Sequence, residues 1–594
     1  MQSIHQLLYL LSKKEKQTAL VLILMILVMA ILDMVGVASI MPLMALLIEP
    51  EVVESNRYLN IIYKQFGFKN IESFQIFAGL TVFLLLIISM AFKALTTYMQ
   101  LRFTMAREYS ISRRLVLGYL SQPYTWFLSR NSADLGKAIL SEVKEVIDTA
   151  MNPIMTLIAQ SAVTIALIFL LLSINPYIAA IAAITLASAY MLIFLTTKEY
   201  LGRIGQARFE ANRQRFSAIS EAFGAFKEIK LGQHEKTYLH RFSKPAEVYA
   251  KHQATSSVIG QLPRYALEGV AFGGLIMLML ILLLTEGDLK SALPVITVYA
   301  FAGYRLLPAL QQIYSASTQL RFAAPALDSI FSDFVNLKEP PEKLDDEQIR
   351  LQDMIELKEI SYNFPEAPQP VLRNLTLTIP AKTTIGFVGA TGSGKTTTVD
   401  LLLGLLTPTS GKLLVDGKEL KPSDMSAWQA SIGYVTQNIY LTDDTITANI
   451  AFGVSAENID YTAVQRAAKL AKLDEFVENL PDKYETVVGE RGVRLSGGQR
   501  QRIGIARAVY NNPRILIMDE ATSALDNITE QKVMEAINGL ASEMTIILIA
   551  HRLSTVKACE KIFMLDNGTL RAEGTYTQLL EGSPEFRALA NAKS

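Results

Sequence analysis

The sequence predicts two halves of different class: an α-helical transmembrane bundle of six spans, followed by an α/β domain of P-loop type. Three observations predict it. Apolar runs long enough to cross a bilayer crowd the first 316 residues and are absent from the rest. A glycine loop, "GATGSGKT" (389–396), joins a strand-like run to a helix-like one. A second apolar run, "RILIMDE" (514–520), ends in two carboxylates. The boundaries expected are 1–335 for the membrane domain with its two long loops, 336–354 for a linker, and 355–594 for the α/β domain. The linker "NLKEPPEKLDDEQIRLQDM" combines two prolines with a charge run, and no internal repeat is visible.

Composition narrows the class. The chain has 594 residues, 50% of them hydrophobic, which is too long and too apolar for one soluble domain. Lys+Arg and Asp+Glu balance at 56 each, so no basic field points to a nucleic-acid partner. The single cysteine, Cys559, cannot close an intramolecular disulfide, in keeping with a reducing compartment. Five histidines and one cysteine supply no zinc cluster.

The first span lies in "ALVLILMILVMAILDMVGVASIMPLMALLI" (19–48), too long for the h-region of a cleavable signal peptide. Further spans are expected near 74–101, 151–173, 176–198, 258–285 and 292–316. Helices are required, because lone strands would leave backbone groups unpaired in lipid. Region 102–148 carries Arg102, Arg107, Arg113, Arg114, Arg130, Lys137 and Lys144, and region 198–256 is richer in basic residues. The short "SINP" and "EGDLK" connections hold none and one. The positive-inside bias therefore puts both long loops, the N-terminus and the α/β half in the cytoplasm. The expected location is the cell inner (cytoplasmic) membrane, crossed several times. The 49–73 connection is external, with "SNRYLNIIYKQFGF" forming a short amphipathic helix on the outer surface.

In the α/β half, Gly389, Gly392 and Gly394 let successive N–H groups of Gly389, Ala390, Thr391, Gly392, Ser393, Gly394, Lys395, Thr396 and Thr397 turn towards a phosphate chain. Lys395 reaches the β/γ-phosphates of ATP, and Thr396 supplies a hydroxyl to Mg²⁺. Asp519 holds Mg²⁺ through water, and Glu520 polarises the attacking water.

Between these two sites lies "RLSGGQRQRIGIARAV" (494–509), where Leu495-Ser496-Gly497-Gly498-Gln499 resembles the signature sequence of ATP-binding cassette (ABC) proteins. "YVTQN" with Gln437, the loop from Ser523 to Asp526, and "IAHRLST" with His551 complete the family's motifs in order. The resemblance implies that Gln437 senses Mg²⁺ and the membrane domain, that His551 contacts the γ-phosphate, and that Asp526 lies in the nucleotide site. The family usually stacks a tyrosine on the adenine; "EISYNFPEA" puts Phe364 at that position, with Tyr362 two residues earlier. The family sandwiches ATP between the P-loop of one cassette and the signature of another. One of each per chain, with Glu520 intact, implies a homodimer.

Six spans ahead of the cassette resemble a type I ABC exporter in its half-transporter form. "LSQPYTWFLSRNSADLGKAILSEV" (120–143) and "SEAFGAFKEIKLGQHE" (220–235) occupy the places of the family's two coupling segments. Arg305 sits inside "YAFAGYRLLPALQQIY", 13 residues from Ala292 and so about 20 Å into the membrane. Lys93 and Arg264 are expected at the same inner-leaflet depth, making a basic ring for an anionic headgroup. The competing reading has Lys93 and Arg264 snorkelling, or Arg264 pairing with Glu268 one turn on. "QLPRYALEGVAFGG" and "AFAGYRLLPALQQIY" resemble stretches of the lipid-linked oligosaccharide flippases of bacterial protein glycosylation. That resemblance implies a pyrophosphate-bearing lipid substrate moved outward, with Arg305 handling the pyrophosphate. The alternative is a multidrug, lipid or peptide exporter with a broadly apolar cavity. An ATP-gated channel or regulatory sensor is disfavoured by the intact Glu520.

Overall fold

A computed structural model describes the chain except residues 1, 262, 266–267, 270–272, 275, 278–279, 281–288, 339–347, 366, 490–491, 522–526, 540–542, 551–552 and 593–594. It divides into two compact units: Met1–Gln122 with Ser129–Pro340, and Pro123–Leu128 with Pro341–Ser594.

The first unit is all helical. Four helical stretches among the described residues are long and apolar enough to cross a membrane: Lys13–Ile48, Ile71–Leu120, Ser132–Ile174 and Pro176–Gly224. The expected sixth span falls in the 48-residue helix Leu289–Asn336; half of the expected fifth, 258–285, lies outside the described residues. Ser12 starts the first span with a capping box, its hydroxyl accepting from the Glu15 amide while the Glu15 carboxylate accepts from the Ser12 amide. Ile71–Leu120 has 50 residues and is therefore about 75 Å long, more than twice the ~30 Å of bilayer hydrocarbon. Such helices extend well beyond a membrane, which explains why basic residues read as loop from the sequence are helical here. Arg208 illustrates the point: it is 1% exposed, 3.4 Å from a Glu145 carboxylate oxygen, and lies over the Phe322 ring. Within Ser132–Ile174, π-helical turns at Ala138–Glu142 and Ile147–Met151 flank one α-turn. The second ends just before Pro153, which has no N–H to continue the α ladder. The expected amphipathic helix is present as Arg57–Gln65, its Tyr63 packing against Phe68 and Phe74.

The second unit is α/β. Its strands are β1 (Met354–Tyr362), β2 (Leu372–Pro380), β3 (Thr384–Val388), β4 (Ser410–Val415), β5 (Lys418–Glu419), β6 (Ile432–Val435), β7 (Ile515–Asp519), β8 (Thr545–Ile549), β9 (Lys561–Asp566) and β10 (Thr569–Gly574). An antiparallel sheet has the order β2-β1-β4-β5; the larger sheet has the order β10-β9-β3-β8-β7-β6. In the larger one every neighbouring pair from β9 to β6 is parallel. Strands β3, β7 and β8 are buried along their whole length, as a sheet covered on both faces requires. Their residues alternate between two cores: Phe387, Ile517 and Ile547 enter one, Val388, Met518 and Leu548 the other. Trp428 anchors the first, donating its indole N–H to the Leu402 carbonyl at 2.7 Å.

Candidate functional site

The parallel sheet brings the two ends of its central strands to one edge. β3 runs into the glycine loop and then the helix Lys395–Leu402, while β7 ends at Asp519. Ligands of open α/β sheets bind at such carboxyl edges. Loop geometry depends on all three glycines. Gly389 has φ +152°, Gly392 φ +81° and Gly394 φ +99°; a Cβ on Gly389 would stand 2.3 Å from the Leu565 carbonyl oxygen. Lys395 is 6% exposed, and its ammonium donates to the carbonyls of Gly389 and Ala390, each at 2.9 Å. Thr396 is exposed beside it, while Thr397 and Ser393 are buried. The Ser393 hydroxyl is buried without a hydrogen-bond partner among the described residues. An ammonium held over a turn at a helix N-terminus, beside an orphaned hydroxyl, fits the phosphate chain of a nucleotide.

Glu520 follows Asp519 in a left-handed conformation, φ +49°, sparsely populated for a residue with a side chain. The Gln437 amide donates to the Glu520 carboxylate at 2.9 Å, so the glutamine after β6 and the glutamate after β7 meet. Asp519 is 7% exposed. Burial, and then the charge of Asp519, push the Asp400 carboxyl up to about 6. Asp400 was not singled out by its motif; a lone carboxylate on the helix opened by the glycine loop was the available signal.

The two rings proposed for the adenine differ in burial. Tyr362 is 4% exposed within the core, whereas Phe364 is only partly buried, edge-on to it at 5.0 Å. Ser496 begins the helix Gly497–Val509: its hydroxyl accepts from the Gln499 amide at 3.2 Å, and its own amide donates to the Gln499 side chain at 2.7 Å. The signature therefore ends at a capped helix N-terminus that opens with Gly497 and Gly498, which leave backbone N–H groups approachable. His551 and Asp526 lie outside the described residues.

In the first unit, the expected basic ring takes a different form. Lys93 and Arg305 do converge, but on a carboxylate: Asp33 Oδ2 is 3.5 Å from Lys93 Nζ, and Asp33 Oδ1 is 3.8 Å from Arg305 Nη1. Arg264 instead pairs with Glu268 at 2.7 Å along its own helix, with the guanidinium largely exposed. The one-turn i, i+4 attraction explains this, since it needs no neighbouring helix. Gln311 and Gln312 are engaged as well: Gln311 donates to the Gly260 carbonyl and Gln312 accepts from Gln160, both at 2.8 Å. Asp33 was missed from the sequence although it interrupts a long apolar run as plainly as Arg305 does.

Comparison with known proteins agrees with both halves. Residues 372–523 match the family model "ABC transporter", and residues 53–291 match "ABC transporter transmembrane region". An ATP-dependent lipid A-core flippase of Cupriavidus pinatubonensis (strain JMP 134 / LMG 1197) is 30% identical over 475 residues, covering 79% of this chain and 80% of that protein. ABC transporter B family member 29, chloroplastic, of Arabidopsis thaliana is 32% identical over 450 residues, covering 74% and 69%. The solved structure of a bacterial Atm1-family ABC exporter with ATP bound superposes with a TM-score of 0.78 over 98% of both chains at 22% identity, a likeness of fold. A helical membrane domain fused to an ATP-binding cassette with a complete described glycine loop, Asp519–Glu520 pair and signature leads to one assignment: the chain belongs to the ABC transporter family and couples ATP hydrolysis to transport across a membrane.

Proposed function

We propose that the protein is an ATP-driven flippase that moves an anionic amphiphile outward from the inner leaflet of the cytoplasmic membrane, as a homodimer. The substrate is a lipid-linked pyrophosphate oligosaccharide or a related lipid. The observation that carries this reading is the Lys93–Arg305 pair: two cations within apolar helices, their side chains 35% and 18% exposed, meeting a single carboxylate. Cations at such depth are costly unless they serve a ligand or pathway. The relatives named as lipid A-core flippases support a lipid cargo. Each composite site would use the glycine loop of one protomer, with Ser496, Gly497 and Gly498 of the other. Thr396, Gln437 and Asp519 would hold Mg²⁺, which when bound neutralises phosphate charge; Glu520 would take the proton of the attacking water. His551 and Asp526 would complete the γ-phosphate contacts.

The test is ATPase stimulation by a panel of lipids in vesicles. A polyprenyl diphosphate should raise the rate over neutral phosphatidylcholine. Arg305→Ala should lose most of that stimulation, and Arg305→Lys should recover only part of it, because a point charge cannot reproduce the guanidinium fork on phosphate oxygens. Full stimulation of the alanine variant would overturn the headgroup reading. Stimulation by neutral amphiphiles alone would favour the exporter with an apolar cavity.

A further inference from the structure

Asp33 has no role in that reading, yet its carboxylate is almost fully enclosed within an apolar helix. We infer that Asp33 is an internal competitor anion, a specificity-determining residue that occupies the Lys93–Arg305 pair at rest and must be displaced by an incoming headgroup. The inference rests on the headgroup reading above.

Three features lead to it. The first is the asymmetry of burial. The Asp33 side chain is 2% exposed, while Lys93 and Arg305 keep 35% and 18%. The anion is sealed in the helix interface, and the cations present an open flank. The second is how the carboxylate is fixed. Asp33 Oδ1 accepts from the Ser89 hydroxyl at 3.0 Å. One turn on, Gly36 lets Lys13–Ala38 approach Ile71–Leu120 closely; a Cβ there would lie 3.3 Å from Leu86 and 4.0 Å from Ser89. The third is distance. Contacts of 3.5 and 3.8 Å are looser than the roughly 2.7–2.9 Å of a tight charge-assisted bond, so both cations retain donors for a second anion.

The charge arithmetic then gives selectivity. Two cations face one carboxylate. A singly charged lipid that replaces Asp33 exchanges like for like, and gains little beyond a shorter contact. A diphosphate brings at least twice the charge to the same two cations and wins the exchange. Abundant singly charged lipids are thereby kept from filling the site. Discrimination by a built-in repulsive element is a general route to specificity.

The experiment measures half-saturating lipid concentrations for ATPase stimulation by full-length protein in phosphatidylcholine vesicles. The probes are a polyprenyl diphosphate and phosphatidylglycerol. Asp33→Asn should lower the half-saturating diphosphate concentration about tenfold, the scale of one removed like charge near the site. Phosphatidylglycerol should leave the wild type unstimulated and should stimulate the variant. A merely structural Asp33 predicts the opposite sign: weaker or unchanged apparent affinity, and no response to phosphatidylglycerol. Either result overturns the inference. Removing a buried anion leaves two close cations, which risks misfolding. The comparison is therefore repeated as Lys93→Gln against Asp33→Asn/Lys93→Gln, where the double variant leaves one cation unopposed. The double variant should again bind both lipids more tightly than the single one; equal curves would overturn the inference. Arg305→Ala separates the two levels. If it leaves stimulation intact, the headgroup reading itself fails; if it abolishes stimulation while Asp33→Asn matches wild type, only the role of Asp33 fails.

Discussion

Glu520 is the side chain to which the proposed mechanism gives the proton transfer from water. Its left-handed backbone and its hydrogen bond from Gln437 hold the carboxylate at the end of β7. Such strain persists where surrounding structure imposes it and is common at reaction centres. Glu520→Gln keeps the shape and the contact with Gln437 but cannot accept a proton. ATP binding should persist while turnover falls about 100-fold or more, and nucleotide-loaded dimers should accumulate. Equilibrium nucleotide binding beside steady-state hydrolysis checks this, and normal turnover would remove Glu520 from the base role. Of the two candidate rings for the adenine, Tyr362 is packed into the core and Phe364 is the more exposed.

At the scale of elements, helix pairs in the membrane unit are set by small residues and buried polar locks. Gly205 on Pro176–Gly224 meets the helix Leu289–Asn336 where a Cβ would stand 2.4 Å from the Phe322 carbonyl oxygen. Backbone cannot yield as a side chain can. One turn on, Arg208 is buried against Phe322 and Glu145, tying the same helices and Ser132–Ile174 together. Alanine normally stabilises a helix interior by about 1 kcal/mol over glycine. Gly205→Ala should instead destabilise by about 1–3 kcal/mol, as overpacking does. A lower melting temperature of the full-length protein in detergent is the expected outcome; a higher one would show that the helices separate at no cost.

At the scale of the molecule, the sequence carries one glycine loop and one signature, and in the proposed homodimer each nucleotide site is shared between two chains. Ser496→Arg on one protomer and Lys395→Ala on the other should leave one composite site intact and disable its twin. Mixed dimers should trap nucleotide to roughly half the wild-type extent or less, while each variant alone traps little. Trapping by a detergent-solubilised monomer would refute the shared site.

The sequence by itself determined the class of both halves and the nucleotide machinery. Spans are legible because lipid demands long uninterrupted apolar runs. The glycine loop, the Asp519–Glu520 strand end and the signature are legible because each packs its chemistry into consecutive residues. The extension of the helices beyond the bilayer was less so, since a basic, amphipathic stretch reads as loop when its burying partner is distant in the chain; Arg208 becomes interior only through residues as far off as Glu145 and Phe322. Only the tertiary structure decided how the membrane charges pair. Depth along a helix can be counted from sequence, but direction around it and the identity of the facing helix cannot. Lys93 and Arg305 therefore found Asp33, 60 and 272 residues away in sequence, while Arg264 took the local partner four residues on.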